Sequence, residues 1–218
     1  MAAKKRASWI VCGILLATLI AAGFVIRLAA PETESGAFAQ LGKIETEQSQ
    51  NNSAVYTGDH ITILADDLER YTKRAQLITG SEDVSEQALH NLAVREIFCY
   101  RAEEAGIPDD DDQFAQWLAE YRKGIENAVN YSDFEAFTQG AGMTEEEYWD
   151  WAGTSESFRK EYYSTLFVKK LKEDFRAVCE LTPGGEEYQE AWNSYFDEYK
   201  KQAVEDEHLK KATDGKTE

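Results

Sequence analysis

Apolar positions recur along this chain in blocks of helical spacing, divided by a few stops marked by glycine and proline. The fullest block covers residues 84–112. Leu89, Ala93, Ile97 and Tyr100 form one stripe, Leu92, Cys99 and Ala102 widen it, and Val94, Phe98 and Ala105 form another. A surface helix normally carries a single apolar stripe, so this pattern predicts a helix surrounded by other helices. Asp83 or Ser85 can cap its start, with Glu86 placed as in a capping box, and Gly106 followed by Pro108 supplies the stop.

The same reading places further helices on either side. Residues 66–79 carry Leu68, Tyr71, Ala75 and Ile78 on one face. Residues 110–129 carry Phe114, Trp117, Leu118 and Tyr121, and residues 131–140 form a shorter helix with Phe134 and Phe137 together. Gly142 breaks the pattern, and Thr144 with Glu147 makes a capping box. One long helix is expected from there to about residue 179, with a kink at Gly153. Thr182-Pro183-Gly184-Gly185 is a definite break, and residues 186–209 form a last helix with Tyr188, Trp192, Tyr195, Phe196 and Tyr199 on its apolar side. Period-two alternation occurs in one place: residues 54–63 read as a hairpin turning at Gly58-Asp59. A two-stranded hairpin is marginal alone and must pack on something.

The N-terminal part follows different rules. Residues 9–26 are an almost purely apolar run behind the basic residues Lys4, Lys5 and Arg6. Such a run is long enough to span a bilayer as a helix. A retained anchor and a cleavable signal both fit it. Its length favours the anchor, while Ala37-Phe38-Ala39 resembles a cleavage site some way downstream. The basic cluster puts the N-terminus in the cytoplasm and the remainder outside. The polar residues that follow read as a flexible tether, with ends roughly 25–30 Å apart. The expected division is a basic segment (1–8), a transmembrane anchor or uncleaved signal (9–28), a flexible linker (29–53), a helical domain (54–210) and a disordered tail (211–218).

Charge narrows the choice of partners. The 218-residue chain has a formal net charge of −18. Lys4, Lys5, Arg6 and Arg27 precede residue 31 with no acidic residue among them. The rest therefore holds 19 of the 23 basic residues and all 41 acidic ones, a net of −22. That balance excludes nucleic acid, whose binding needs positive charge facing phosphate. The acidic run at 109–112 fails as a calcium loop, because Phe114 stands where an EF-hand requires glycine; it reads instead as the start of a helix, where negative charge is favoured. Of the three cysteines, Cys12 lies in the apolar run, and Cys99 and Cys179 are either a disulfide or two buried thiols. His60, His90 and His208 stand apart with no partner at ligand spacing, so no metal or cofactor is expected. No phosphate loop, nucleophile elbow or HExxH motif appears, carboxylates are too many for a catalytic pair to be picked out, and no enzymatic activity is expected.

Aromatic density is the remaining feature. Rings give a large contact area at small entropic cost, so exposed clusters mark binding surfaces, whereas buried ones are core. The candidate contacts for a polypeptide are Phe114, Trp117, Tyr121, Phe134, Phe137, Tyr148, Trp149 and Trp151.

Four stretches, in order, resemble the SurA-like and PrsA-like extracytoplasmic chaperones. Val55, Gly58, Ile61 and Thr62 match the small hairpin that opens those domains, with Thr57 where asparagine is commoner. Ala102, Ala105, Gly106, Ile107 and Asp109 match the end of their next helix, and Gly142, Met143, Thr144, Glu146 and Tyr148 match a third motif. The stretch 190–206 resembles their C-terminal helix. The resemblance implies a mainly α fold: an N-terminal transmembrane helix, then a helical bundle with a small hairpin at its start and a long C-terminal helix packing back. It also implies passive binding of unfolded or exported polypeptides. Relatives often carry a prolyl isomerase domain before the last helix. Here the break around Pro183 is only a short connection, so that activity does not transfer. A scaffold with one dedicated partner in an envelope, secretion or spore-assembly complex is the first alternative, and an enzyme, a prolyl isomerase by family annotation or an unrecognised hydrolase, the second.

Overall fold

The computed structural model describes residues 31–47, 51–128 and 130–212. It is mainly helical, with a small antiparallel sheet. The elements are α1 (Pro31–Thr46), β1 (Ala54–Thr57), β2 (Thr62–Leu64), α2 (Ala65–Thr79), α3 (Ser85–Glu104), α4 (Asp111–Glu126), α5 (Tyr131–Ala141), α6 (Glu145–Thr154), α7 (Glu156–Val178), α8 (Glu186–Asp206) and β3 (Lys210–Lys211). The expected anchor at 9–28 lies outside the described residues. Among the described residues no helix is long and apolar enough to cross a membrane.

The apolar block at 84–112 becomes α3, and α2, α7, α8 and β2 all pack on it. Ala88, Leu92, Ala93, Val94, Ile97, Phe98 and Ala102 are buried and form the centre of the main core with Ile63, Tyr71, Tyr163 and Phe167. The capping box expected at its start is not formed. Val84 occupies the cap position without a side-chain hydrogen bond, and Val84 is itself buried, so the chain is fixed there by apolar contact. The stop works as expected. Gly106 takes φ 69°, donates to the Glu103 carbonyl at 2.9 Å, and lets Ile107 N donate to the Ala102 carbonyl at 3.0 Å.

A second core lies between α4, α5 and α6. It is built on Tyr121, Ile125, Phe134, Tyr148, Trp149 and Ala152. The Thr144 capping box is complete: Glu147 N donates to Thr144 Oγ1 at 3.3 Å, and Thr144 N donates to Glu147 Oε2 at 2.7 Å. The single long helix expected from there is instead two helices. Ser155 is extended (ψ 121°), and its hydroxyl accepts from Phe158 N at 3.5 Å, starting α7 afresh. A serine that caps its own helix start supplies the break, and Gly153 does not have to kink.

Two other expectations change. The stretch read as a flexible linker contains α1, which runs along α5 and touches α2. Its composition reads as a tether because small residues, with no large apolar stripe, make the contact. A Cβ on Gly42 would strike the carbonyl of Phe137, and one on Gly140 would strike that of Ala39, so the two backbones meet where only glycine fits. At the other end, α8 stops at Asp206 because His208 adopts φ 51°, and residues 210–211, expected as helix end and tail, form β3. The sheet order is β2-β1-β3, with Tyr56 opposite Lys211 and Thr57 opposite Lys210. This pairing uses backbone groups alone, so two lysines give no sign of it.

Cys99 and Cys179 are both free. Cys99 Sγ lies 3.2 Å from the Lys160 carbonyl, and burial pushes its thiol pKa up to about 12.

Candidate functional site

The eight candidate aromatics do not form one open groove. Phe114, Tyr121, Phe134, Tyr148 and Trp149 are buried, whereas Trp117, Phe137 and Trp151 are half-buried. The buried rings hold one another in tilted and edge-on pairs. Phe134 lies 5.2 Å from Tyr148 and 5.4 Å from Trp149, and Tyr148 lies 4.9 Å from Trp149. Edge-to-face contact of this kind stabilises a core beyond the area it buries. Burial also raises the Tyr148 pKa well above its ordinary value, with Tyr121 and Glu45 adding to the effect. The expectation that all eight line a contact surface is therefore corrected: five are structural, because three short helices must fill the space between them with large rings.

Three rings remain at the rim. Trp117 stacks on Tyr121 at 5.5 Å, Trp151 meets Phe158 edge-on at 5.6 Å, and Phe137 meets Tyr148 at 5.5 Å. A second row of rings runs between α7 and α8. Phe175 contacts Tyr188, Trp192 and Tyr195, and Trp192 stacks on Phe196 at 5.2 Å. Among the described residues the exposed large hydrophobics, Val178 and Tyr195, lie on these two helices. Their exposure depends on how α7 and α8 cross, which periodicity within either helix does not determine.

A charged cluster inside the main core has no counterpart among the sequence expectations. Tyr71 of α2 is buried beneath two guanidinium groups, Arg74 at 4.8 Å and Arg95 at 5.1 Å from its ring centre. Arg95 donates to Glu96 Oε1 at 2.6 Å and stands 4.0 Å from Asp67, while Lys160 reaches Glu96 Oε2 at 3.0 Å. Arg74 pairs with Glu45 of α1. Burial works against the negative charge on Glu96, but Arg95 and Lys160 outweigh it and hold its pKa below the usual carboxylate value. Glu161 of α7 shows the opposite balance. It is buried, and neither its Oε1 nor Ser164 Oγ has a hydrogen-bond partner among the described residues. Burial drives its pKa up to about 7 against the pull of Arg95 and Arg74. The group can take up or release a proton near neutrality. The available sequence signal was Arg95 set between the apolar residues Val94 and Ile97 of α3; carboxylates are too many for Glu161 to stand out.

Two of the three histidines that looked isolated, His60 and His208, find carboxylate partners. Glu207 is buried at the end of α8, and its Oε1 accepts from Ile61 N at 2.8 Å and from His60 N. His60 Nδ1 lies 3.2 Å from Glu207 Oε2, and His208 Nδ1 lies 2.8 Å from Asp59 Oδ2. The His60 ring stacks on Tyr100 at 4.4 Å. These contacts clasp the β1–β2 turn to the end of α8. A Cβ on Gly58 would collide with Glu207, which explains glycine at the turn. Among the described residues no group of three or more His, Cys, Asp or Glu side chains could hold a metal ion. No family model matches this chain, and no curated protein or solved structure matches it either.

Proposed function

We propose that the chain is a membrane-anchored, extracytoplasmic SurA-like module that binds unfolded or exported polypeptides without catalysis. Three partly exposed rings at the rim of the second core, Trp117, Phe137 and Trp151, carry this reading. Rigid rings held by a fixed core offer apolar contact area at low entropic cost. The order of the four chaperone-like stretches supports it, as does the apolar run at 9–26 behind a basic cluster. Passive holding needs affinity for exposed segments and no nucleotide. Only residues 179–185 separate α7 from α8, a connection of ordinary length with no room for an isomerase domain. The test is suppression of aggregation of a chemically denatured protein by the full chain in detergent or vesicles. Suppression that weakens in Trp117→Ala and Trp151→Ala supports the reading, and no suppression at equimolar chain defeats it.

A second reading, a scaffold for one dedicated partner, is favoured by the shortage of exposed apolar side chains. Val178 and Tyr195 are the exposed large hydrophobics among the described residues, whereas a holder of many clients needs a larger apolar patch. Crosslinking in the native membrane separates the two: many captured chains point to the holder, one stoichiometric chain to the scaffold.

A further inference from the structure

The distal half of the α7–α8 hairpin is built apart from the rest of the fold. Its buried side chains Leu171, Tyr188 and Trp192 belong to neither hydrophobic core. Phe175 joins the two helices there, 5.6 Å from Tyr188 and 5.5 Å from Trp192. The exposed large hydrophobics among the described residues both fall on this arm: Val178 is 79% exposed and Tyr195 38%. Val178 stands one turn beyond Phe175 on the same stripe of α7, and the Tyr195 ring stacks on Phe175 at 5.0 Å. The apolar seam between the helices therefore continues into solvent.

Charge divides the arm. Lys169, Lys172 and Arg176 share one side of α7 at i, i+3 and i+7. Lys172 Nζ lies 5.4 Å from the Trp192 ring centre and Lys200 Nζ 4.7 Å from that of Phe196, so cations line the Phe196 side. On α8, Glu187, Glu190 and Glu198 keep the spacing i, i+3 and i+11, which turns them away from Phe196. All three are exposed and form no ion pair among the described residues. Burial, Tyr199 and Asp174 together raise the Tyr195 pKa, so Asp174 also faces that ring, and Asp174 is tied to Lys170 at 2.6 Å.

We infer that the Tyr195 side of the α7–α8 arm docks a cationic amphipathic helix of another protein, whose apolar stripe covers Val178 and Tyr195 and whose Lys or Arg side chains meet Glu187, Glu190 and Glu198. An apolar seam between two helices, with charge along its flank, is the geometry that receives a third helix. The sign of the partner's charge follows from the division of the arm. General acidity of the chain would leave both sides negative, whereas one side is positive and the apolar residues lie on the other. A second copy would have to offer its cationic side to this one, a head-to-tail contact that repeats without closing. The arm carries none of the rim rings Trp117, Phe137 and Trp151, so the outcome of the aggregation test does not bear on it.

The test titrates the full chain, held in nanodiscs of zwitterionic lipid, with a fluorescent helical peptide of leucine and lysine. The same peptide with glutamate in place of lysine is the comparison, and binding to empty discs is subtracted. The lysine peptide is expected to bind about tenfold more tightly or better, and less tightly as salt rises. The double variant Glu187→Lys, Glu198→Lys is expected to weaken it about tenfold or more, and Val178→Ser, which leaves the charge unchanged, about fivefold or more. A control double variant, Glu103→Lys with Glu104→Lys, makes the same change in net charge at the exposed end of α3 and is expected to alter binding less than about twofold. Equal weakening by the two double variants overturns the inference, because the attraction would then belong to the acidic surface at large. No binding by the wild type, or full binding by Val178→Ser, also overturns it. Self-association of the chain that Glu187→Lys with Glu198→Lys abolishes would give the face to a second copy and overturns it too. All the substituted positions are exposed, and circular dichroism checks that each variant keeps its helix content; should one unfold, the others decide.

Discussion

Replacing Glu161 with glutamine should make the protein more stable at neutral and alkaline pH, and by a predictable amount. The carboxyl is buried on α7 with Oε1 unpartnered among the described residues, and burial raises its pKa from 4.5 to about 7 despite Arg95 of α3 and Arg74 of α2. Below pH 4.5 both folded and unfolded chains carry the proton, and the folded state bears no penalty. As pH rises from there the unfolded chain ionises first, and stability falls until the folded carboxyl ionises near pH 7. The span from 4.5 to about 7, at about 1.4 kcal/mol per pH unit, makes roughly 3 kcal/mol. Glutamine keeps the shape and never ionises. Urea unfolding followed by tryptophan fluorescence at pH 4.5 and pH 8 measures the difference between wild type and Glu161→Gln. That difference should shift by about 3 kcal/mol in favour of the variant on going to pH 8. Glu96 and His90, whose pKa values are lowered, are present in both proteins and cancel in the comparison. A shift under about 1 kcal/mol, or one of opposite sign, would refute the claim that the buried carboxyl lacks compensation.

Other outcomes follow from the same structure. Glu207→Ala leaves the amides of Ile61 and His60 without their acceptor and should cost about 2–4 kcal/mol, seen as a lower thermal midpoint, while Glu207→Gln recovers part of it. Phe98→Ala, at the centre of α3, should cost about 3–5 kcal/mol in urea unfolding, because Phe167, Phe196 and Tyr199 all lean on that ring. Cys99, with its thiol pushed up to about 12, should stay unmodified by iodoacetamide at pH 8 in the folded chain and react once the chain is unfolded in urea.

The rim rings and the charged cluster differ in how visible they were in the sequence. Aromatic density marked the region α4 to α6 but could not say which side each ring takes. Trp149 and Trp151 are two residues apart on one helix, and one is core while the other is rim. The difference lies in what faces them: Phe134 and Tyr121 close over Trp149, while Trp151 sits toward α7 beside Phe158. The cluster at Tyr71 was legible only in part: Arg95 stood out among the apolar residues of α3, but Glu161 comes from α7, far along the chain from Arg74 and Arg95 on the consecutive helices α2 and α3.

The sequence by itself determined the helices whose side chains carry their own instructions. The apolar faces of α3 made it central, the Thr144 capping box started α6, and the glycines at 106 and 142 ended α3 and α5. These signals act within a turn or two of chain, where spacing and local hydrogen bonds suffice. Tertiary structure alone decided α1 and β3. The first is a polar, glycine-bearing helix that exists against α5, and the second a strand of two lysines that exists against β1. Each depends on a partner distant in the chain, and periodicity holds no information about it.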